Sequence, residues 1–196
     1  MDNYTEKFTC TVCGKVHDSI VSDCCIGKGT LKKLPEILEK YGAKLPFVLC
    51  DVNTYKAAGE KVTAILRENG TEPILHVIQS TEPSPDERTV GEAVMYCQKS
   101  ADFVIGVGGG VINDTSKILA MTKNVHMAIV GTAPSMDGFA SATSSVDRTG
   151  LKVSLPSKCP DCVIGDTEIL ANAPVHMIRS GIGDMLAKYV SLAEWK

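Results

Sequence analysis

Short apolar runs alternate along this chain with longer segments whose apolar residues recur at three- and four-residue intervals. Ser19 to Gly27 predicts a strand that ends at Gly27-Lys28-Gly29. Thr30 is placed to cap a helix carrying Leu31, Leu34, Ile37, Leu38 and Tyr41 on one face, with Gly42 as its stop. Phe47 to Asp51 is a continuous apolar run closed by an acid, as suits a strand buried on both faces of a parallel sheet. A helix follows over 54–69, with Ala58, Val62, Ile65 and Leu66 inward. The alternation then repeats: a strand over Pro73–Ile78, a helix from Ser84-Pro85 to about Lys99, and a strand over Asp102–Val107. A helix over 112–122 and a strand over Val125–Val130 complete it. Strand and helix in repeated alternation predict a doubly wound, Rossmann-like α/β fold with a mostly parallel sheet.

Past Gly131 the pattern breaks. Residues 131–160 are rich in Ser, Thr, Gly and Pro, and Gly150–Leu155 alternates like a hairpin arm. Val163-Ile-Gly-Asp166 predicts one last strand. Pro174 then begins a helical region through Lys196, with an interruption expected at Gly181-Ile-Gly183. Met185, Leu186, Tyr189 and Trp195 in that region have little to pack against, so the sequence reads as the first part of something longer. The expected division is an α/β unit over 1–166, followed over 167–196 by the first helices of an incomplete helical unit.

Composition narrows the function classes. With 44% hydrophobic and 22% charged residues in 196, the chain is of ordinary globular make-up. A net charge of −3 lacks the basic excess of a nucleic-acid partner. No apolar run approaches the roughly 18 residues of a membrane span. The opening MDNYTEKFTC has neither the basic nor the apolar region of a secretory leader, so a cytoplasmic location is expected.

Eight cysteines fit a reducing compartment better than a disulfide scaffold. Cys50 and Cys97 sit inside apolar segments and read as small core residues. Cys10-x-x-Cys13 with His17 has two readings: a polar hairpin ahead of the first strand, or a zinc knuckle that Cys24 or Cys25 would complete. The hairpin is the simpler. Cys159-Pro-Asp-Cys162 reads as a loop with one cysteine entering a strand.

The chemistry concentrates in Gly106-Val-Gly108-Gly109-Gly110, between the fourth strand and its helix. Glycine there lets backbone N–H groups approach an anion at a helix N-terminus. The spacing is not G-x-G-x-x-G, and alone it supports only a tight turn. Asp51 ends the second strand, where a carboxylate can accept from a ribose diol and repel a 2′-phosphate, or can simply cap the next helix. The loop Gly131–Ser141 adds the hydroxyls of Thr132, Ser135 and Ser141 and the carboxylate of Asp137.

Three segments in order, GVGGGVINDTSK (106–117), GTAPSMDGFAS (131–141) and SGIGDMLAKY (180–189), carry a resemblance over nearly the whole chain. The sequence resembles the iron-dependent alcohol dehydrogenase / dehydroquinate synthase-like superfamily, and in the second segment its sn-glycerol-1-phosphate dehydrogenases. The resemblance implies NAD- or NADP-linked interconversion of glycerone phosphate and sn-glycerol 1-phosphate, assisted by a divalent metal for which zinc or nickel is suited. By motif position it implies that Gly108, Gly109, Gly110, Asp114, Thr132, Ser135 and Ser141 contact the cofactor and Asp51 the adenosine ribose. It also implies that Asp137 contacts substrate, and that Asp184 is a metal ligand near the substrate. The family's other two metal ligands are histidines of a helical domain, and no histidine follows Asp184; His176 matches neither and reads as a helix-end residue. The expectation is a nucleotide-binding portion with little or no dehydrogenase activity of its own, prone to homo-oligomerise. A glycerol dehydrogenase-like activity and a non-catalytic nucleotide-binding module are the alternatives.

Overall fold

A computed structural model describes residues 7–18 and 21–195 of the chain. Its centre is a six-stranded, wholly parallel sheet made of β3 (Asp23–Gly27), β4 (Pro46–Asp51), β5 (Ile74–Ile78), β6 (Phe103–Gly108), β7 (His126–Gly131) and β10 (Cys162–Asp166). Two antiparallel hairpins lie outside it: β1 (Phe8–Thr9) with β2 (Val16–His17), and β8 (Thr143–Arg148) with β9 (Leu151–Pro156). The helices are α1 (Leu34–Lys40), α2 (Val52–Thr54), α3 (Glu60–Glu68), α4 (Glu87–Tyr96), α5 (Gly110–Lys123), α6 (Thr167–Leu170) and α7 (Val175–Glu194). A single π-turn, Tyr55–Gly59, joins α2 to α3, so the helix expected over 54–69 is present with one wide turn in it.

The two-residue period of a strand sorts the core onto both faces of the sheet. Val48, Cys50, Phe103, Ile105 and Val107 pack with Leu34, Leu38, Val62 and Leu66 on one side. Phe47, Leu49, Val104 and Met127 pack with Ala93, Ile112 and Leu119 on the other. Helices thus cover both faces, α1 and α3 opposite α4 and α5, as the continuous apolar runs of β4 and β6 require. Cys50 and Cys97 are buried in these cores, as expected, and burial pushes the Cys50 thiol up to about 12.

Across the sheet the strands run β3, β10, β7, β6, β4, β5. From β4 the chain steps outward to β5; from β5 it crosses back to β6 and continues the other way through β7 to β10. The reversal leaves a crevice beyond the carboxyl ends of β4 and β6, the place where open α/β sheets hold ligands.

Local boundaries depart from the pattern reading for identifiable reasons. Thr30 does not cap the first helix: Gly29 takes the cap position in the left-handed region, and the Thr30 hydroxyl donates to the Gly27 carbonyl. The orphan amides of Gly29 and Leu31 donate instead to the Asp166 carboxylate, at 3.2 Å each, from the far end of β10. Helix α4 starts at Glu87, capped by Asp86, whose side chain accepts from Thr89 N–H at 2.8 Å, rather than at Ser84-Pro85. Its end at Tyr96 falls short of Lys99. Helix α7 runs unbroken through Gly181 and Gly183, correcting the expected interruption. The first strand is observed as Asp23–Gly27; Ser19 and Ile20 lie outside the described residues, as do the opening six and Lys196. Among the described residues no helix is long and apolar enough to cross a membrane.

Candidate functional site

Beyond the crevice lies a cleft of about 700 Å³. That is within the size range of small-molecule sites, roughly 300–1,000 Å³. One wall is the end of β4 and the turn after β5, with Asp51, Asn53 and Thr81. The floor is the turn from β6 into α5, with Gly109, Gly110 and Ile112. The loop after β7 gives Thr132, Ala133 and Ser135, and the start of α7 closes the far side with His176 and Met177.

The glycines divide by task. A Cβ at Gly106 would stand 2.6 Å from Ser116 Oγ, and one at Gly108 would stand 2.6 Å from Ile112 Cβ. Those two are demanded by the close packing of α5 onto β6. Gly109 and Gly110 face the cleft: a Cβ at Gly109 would meet only Ser135 Oγ, at 3.9 Å, and one at Gly110 the Met136 sulfur at 3.3 Å. Gly109 is also the N-cap of α5, with no side chain on the helix-end amides. An anion there would meet the positive end of a fourteen-residue helix.

Asp51 combines both roles that its position allows. Its Oδ1 accepts from Asn53 N–H at 2.8 Å and Thr54 N–H at 2.9 Å, while its own N–H donates to Thr54 Oγ1, a reciprocal cap on α2. The residue also lines the cleft, opposite the glycine turn across the β4–β6 crevice. Thr132 is buried in the cleft wall, its N–H donating to Gly108 O at 3.2 Å, which ties the two loops together.

The remaining sequence-selected residues lie elsewhere. Asp114 does not line the cleft. Its carboxylate faces the β8–β9 hairpin, accepting from Ser145 N–H at 3.0 Å and from Lys117 Nζ at 3.2 Å. Lys117 is fully buried and also donates to the carbonyls of Gly138 and Thr143, at 3.2 and 2.9 Å, and to Ser141 Oγ at 2.9 Å. Ser141 therefore supports the 138–143 turn from behind. Lys117 is the residue the pattern reading passed over; its only signal is the three-residue spacing from Asp114.

Asp137 and Asp184, neither of which lines the cleft, meet one another. The Asp137 N–H donates to Asp184 Oδ2 at 2.8 Å, and Lys188 Nζ sits 2.9 Å from Asp137 Oδ2 and 3.6 Å from Asp184 Oδ1. The Asp137 amide, with help from Lys188, holds the Asp184 carboxyl below its ordinary value. Among the described residues no third metal-ligating side chain joins the carboxylates of Asp137 and Asp184. The donor set here does not fit a catalytic metal by itself.

Asn53, Thr81 and His176 line the cleft without having been singled out for it. Asn53 Nδ2 donates to Thr81 O at 2.8 Å and so fixes the turn after β5. His176 is the second residue of α7, at the helix end as expected. No periodicity marks any of the three: Asn53 and His176 lie in the first turns of α2 and α7 and Thr81 in the loop after β5, and the strand order brings them together.

Fold and crevice define the class: a doubly wound α/β unit with a ligand cleft at its topological switch point. Residues 25–174 match the iron-containing alcohol dehydrogenase family, and the chain belongs to it. It is 34% identical over 179 residues to the glycerol-1-phosphate dehydrogenase [NAD(P)+] of Bacillus velezensis, covering 90% of this chain and 45% of that protein. With the protein of the same name from Metallosphaera sedula it shares 34% identity over 186 residues, 93% of this chain and 52% of that one. In fold it is similar to the crystal structure of glycerol dehydrogenase from Schizosaccharomyces pombe, with a TM-score of 0.75 and 24% identity over 87% of this chain and 43% of that one. The chain spans about half the length of the curated relatives it matches.

Proposed function

We propose that this chain is the nucleotide-binding portion of an NAD(P)-linked dehydrogenase acting between glycerone phosphate and sn-glycerol 1-phosphate. One observation carries the nucleotide part: Asp51 at the end of β4 and the Gly109–Gly110 turn at the end of β6 flank the sheet's switch point across one cleft. A pyrophosphate on the α5 N-terminus would face backbone amides where Gly109 and Gly110 leave room for it. A ribose directed toward β4 would reach the Asp51 carboxylate, whose charge favours NAD over NADP. Thr132 and Ser135 supply hydroxyls on the opposite wall.

The substrate part rests on the relatives' names and on the three matching segments. Asp137 and Asp184 stand together on the 134–141 loop and α7; by the resemblance, Asp137 would contact substrate and Asp184 would supply one of several metal ligands. Residues 167–196 are the proposed start of a helical unit bearing the remaining metal ligands and substrate contacts. The exposed apolar residues of α7, among them Leu186, Tyr189 and Trp195, fit such a unit or self-association.

Calorimetric titration of the chain with NADH tests the nucleotide reading; saturable binding is expected, and its absence at millimolar cofactor overturns it. Assay of a chain extended to the relatives' length, with zinc or nickel, tests the reaction. Turnover of glycerone phosphate in preference to unphosphorylated dihydroxyacetone is expected; the reverse preference would make it a glycerol dehydrogenase instead.

A further inference from the structure

The N-terminal hairpin has no part in the cleft and is poorly accounted for by packing. Its two strands are two residues each and exposed throughout, whereas an isolated two-stranded hairpin is marginal in water. What the hairpin does possess is a gathered set of soft ligands. The Sγ atoms of Cys10 and Cys13 and a ring nitrogen of His17 all lie within 4.8 Å of one another, the one such group among the described residues. Cys13 Sγ is 3.2 Å from His17 Nε2. Bond lengths of about 2.3 Å to sulfur and 2.0–2.1 Å to nitrogen place such atoms roughly 3.5 Å apart around a tetrahedral zinc.

The backbone is already wound for this. Gly14, with φ +68°, reverses the chain, and the turn is closed by Gly14 N–H to Cys10 O and Cys10 N–H to Lys15 O, both 2.9 Å. Amides of Cys13 and Val12 reach the Cys10 sulfur. The His17 ring is held by stacking on Phe8, centroids 5.3 Å apart at 25°, which presents its nitrogen to the two sulfurs. Lys7 and Asp18 pair at 2.7 Å across the open end of the hairpin.

We propose that Cys10, Cys13 and His17 bind a zinc ion that staples the N-terminal hairpin, the fourth position going to a ligand outside this triad. Two thiolates and an imidazole are a donor set suited to zinc, and binding releases the thiol protons to solvent. The site is separate from the nucleotide cleft and does not depend on it. Cys24 and Cys25, the partners the sequence offered, are placed in β3 beside β10 and are not in the group.

The test uses the whole chain, stripped with chelator under reducing conditions and reloaded with zinc or cobalt(II). One equivalent of zinc should survive gel filtration, and cobalt should give a thiolate charge-transfer band with tetrahedral d–d absorption. Cys10→Ser/Cys13→Ser should lower zinc to background and abolish the band. His17→Ala should weaken binding at least tenfold, and Cys24→Ser/Cys25→Ser should leave the metal in place. Zinc content unchanged in Cys10→Ser/Cys13→Ser, loss of zinc in Cys24→Ser/Cys25→Ser, or no thiolate–cobalt band in the unaltered chain would each overturn the assignment. Because the hairpin lies outside the main core, NADH titration of the same samples reports the fold and the nucleotide site independently.

Discussion

The amide of Asp137 donates to the carboxylate of Asp184 across 47 positions of sequence, at 2.8 Å, and so joins the loop after β7 to α7. The two acids could have repelled one another, but Lys188 lies between their carboxylates. Asp184 is held below its ordinary 3.8 chiefly by that amide, and Lys188 is held above its ordinary 10.5 chiefly by Asp137. A depressed carboxyl contributes above its unfolded value and loses that contribution as pH falls through the folded one; a raised amine contributes below its unfolded value and loses it as pH rises through the folded one. Protection of the Asp137 amide from exchange, corrected for intrinsic rate, should therefore be flat from about pH 5 to about pH 9 and weaken beyond both ends. Asp184→Asn should reduce it several-fold across that window. Protection that fell between about pH 7 and pH 5 would contradict the assignment.

Gly181 touches the same loop from α7. A Cβ there would collide with the Pro134 carbonyl, whereas one at Gly183 meets nothing within 4 Å. Gly181→Ala should cost about 1–3 kcal/mol as the helix or the loop gives way. Gly183→Ala, in the same helix, should be neutral or slightly stabilising through helix propensity. Paired urea unfolding curves separate the two.

The glycine run offers a second such contrast. Gly108→Ala should destabilise by about 1–3 kcal/mol because Ile112 has nowhere to go. Gly109→Ala has room in the folded chain and should leave stability within roughly 0.5 kcal/mol. Its methyl group would instead occupy the cleft, so NADH affinity should fall while the unfolding midpoint holds. Equal effects of both substitutions on stability would show that the run is packing alone.

Lys117 carries a buried charge that four oxygens share. Lys117→Met keeps the volume but leaves Asp114 unpaired and the Gly138 and Thr143 carbonyls short of a donor. The expected loss is about 3–5 kcal/mol, read as a lower midpoint with unchanged slope in urea. A near-neutral result would mean that the hairpin and the 138–143 turn do not depend on this ion pair.

Asp51 can be divided into cap and charge. Asp51→Asn retains an oxygen for the Asn53 and Thr54 amides, so stability should change by less than about 0.5 kcal/mol. Removing the charge should narrow the preference for NADH over NADPH. Asp51→Ala should lose the cap as well, at about 0.5–2 kcal/mol. Competitive titration with the two nucleotides, run beside thermal unfolding, distinguishes these outcomes.

Much of the architecture is legible in local pattern. The continuous apolar runs at 47–51 and 102–107 had to be strands buried on two faces, and the three- and four-residue periods between them had to be helices over those faces. Asp51 and the glycine run could be selected because chain ends of strands and glycine before a helix have local signatures. What local pattern could not decide is what each selected residue meets. Gly108 serves packing and Gly109 a cleft because of where Ile112 and Ser135 fall. Asp114 turns to Lys117 and Ser145 because the β8–β9 hairpin folds back beside α5. Gly181 does not break α7, because its missing side chain answers to Pro134 rather than to the helix. The cap on the first helix comes from Asp166, 137 positions after Gly29, because parallel pairing sets β10 next to β3. Periodicity reports the environment of a residue averaged over its own element; contacts between loops are set by strand order, which only the folded sheet determines.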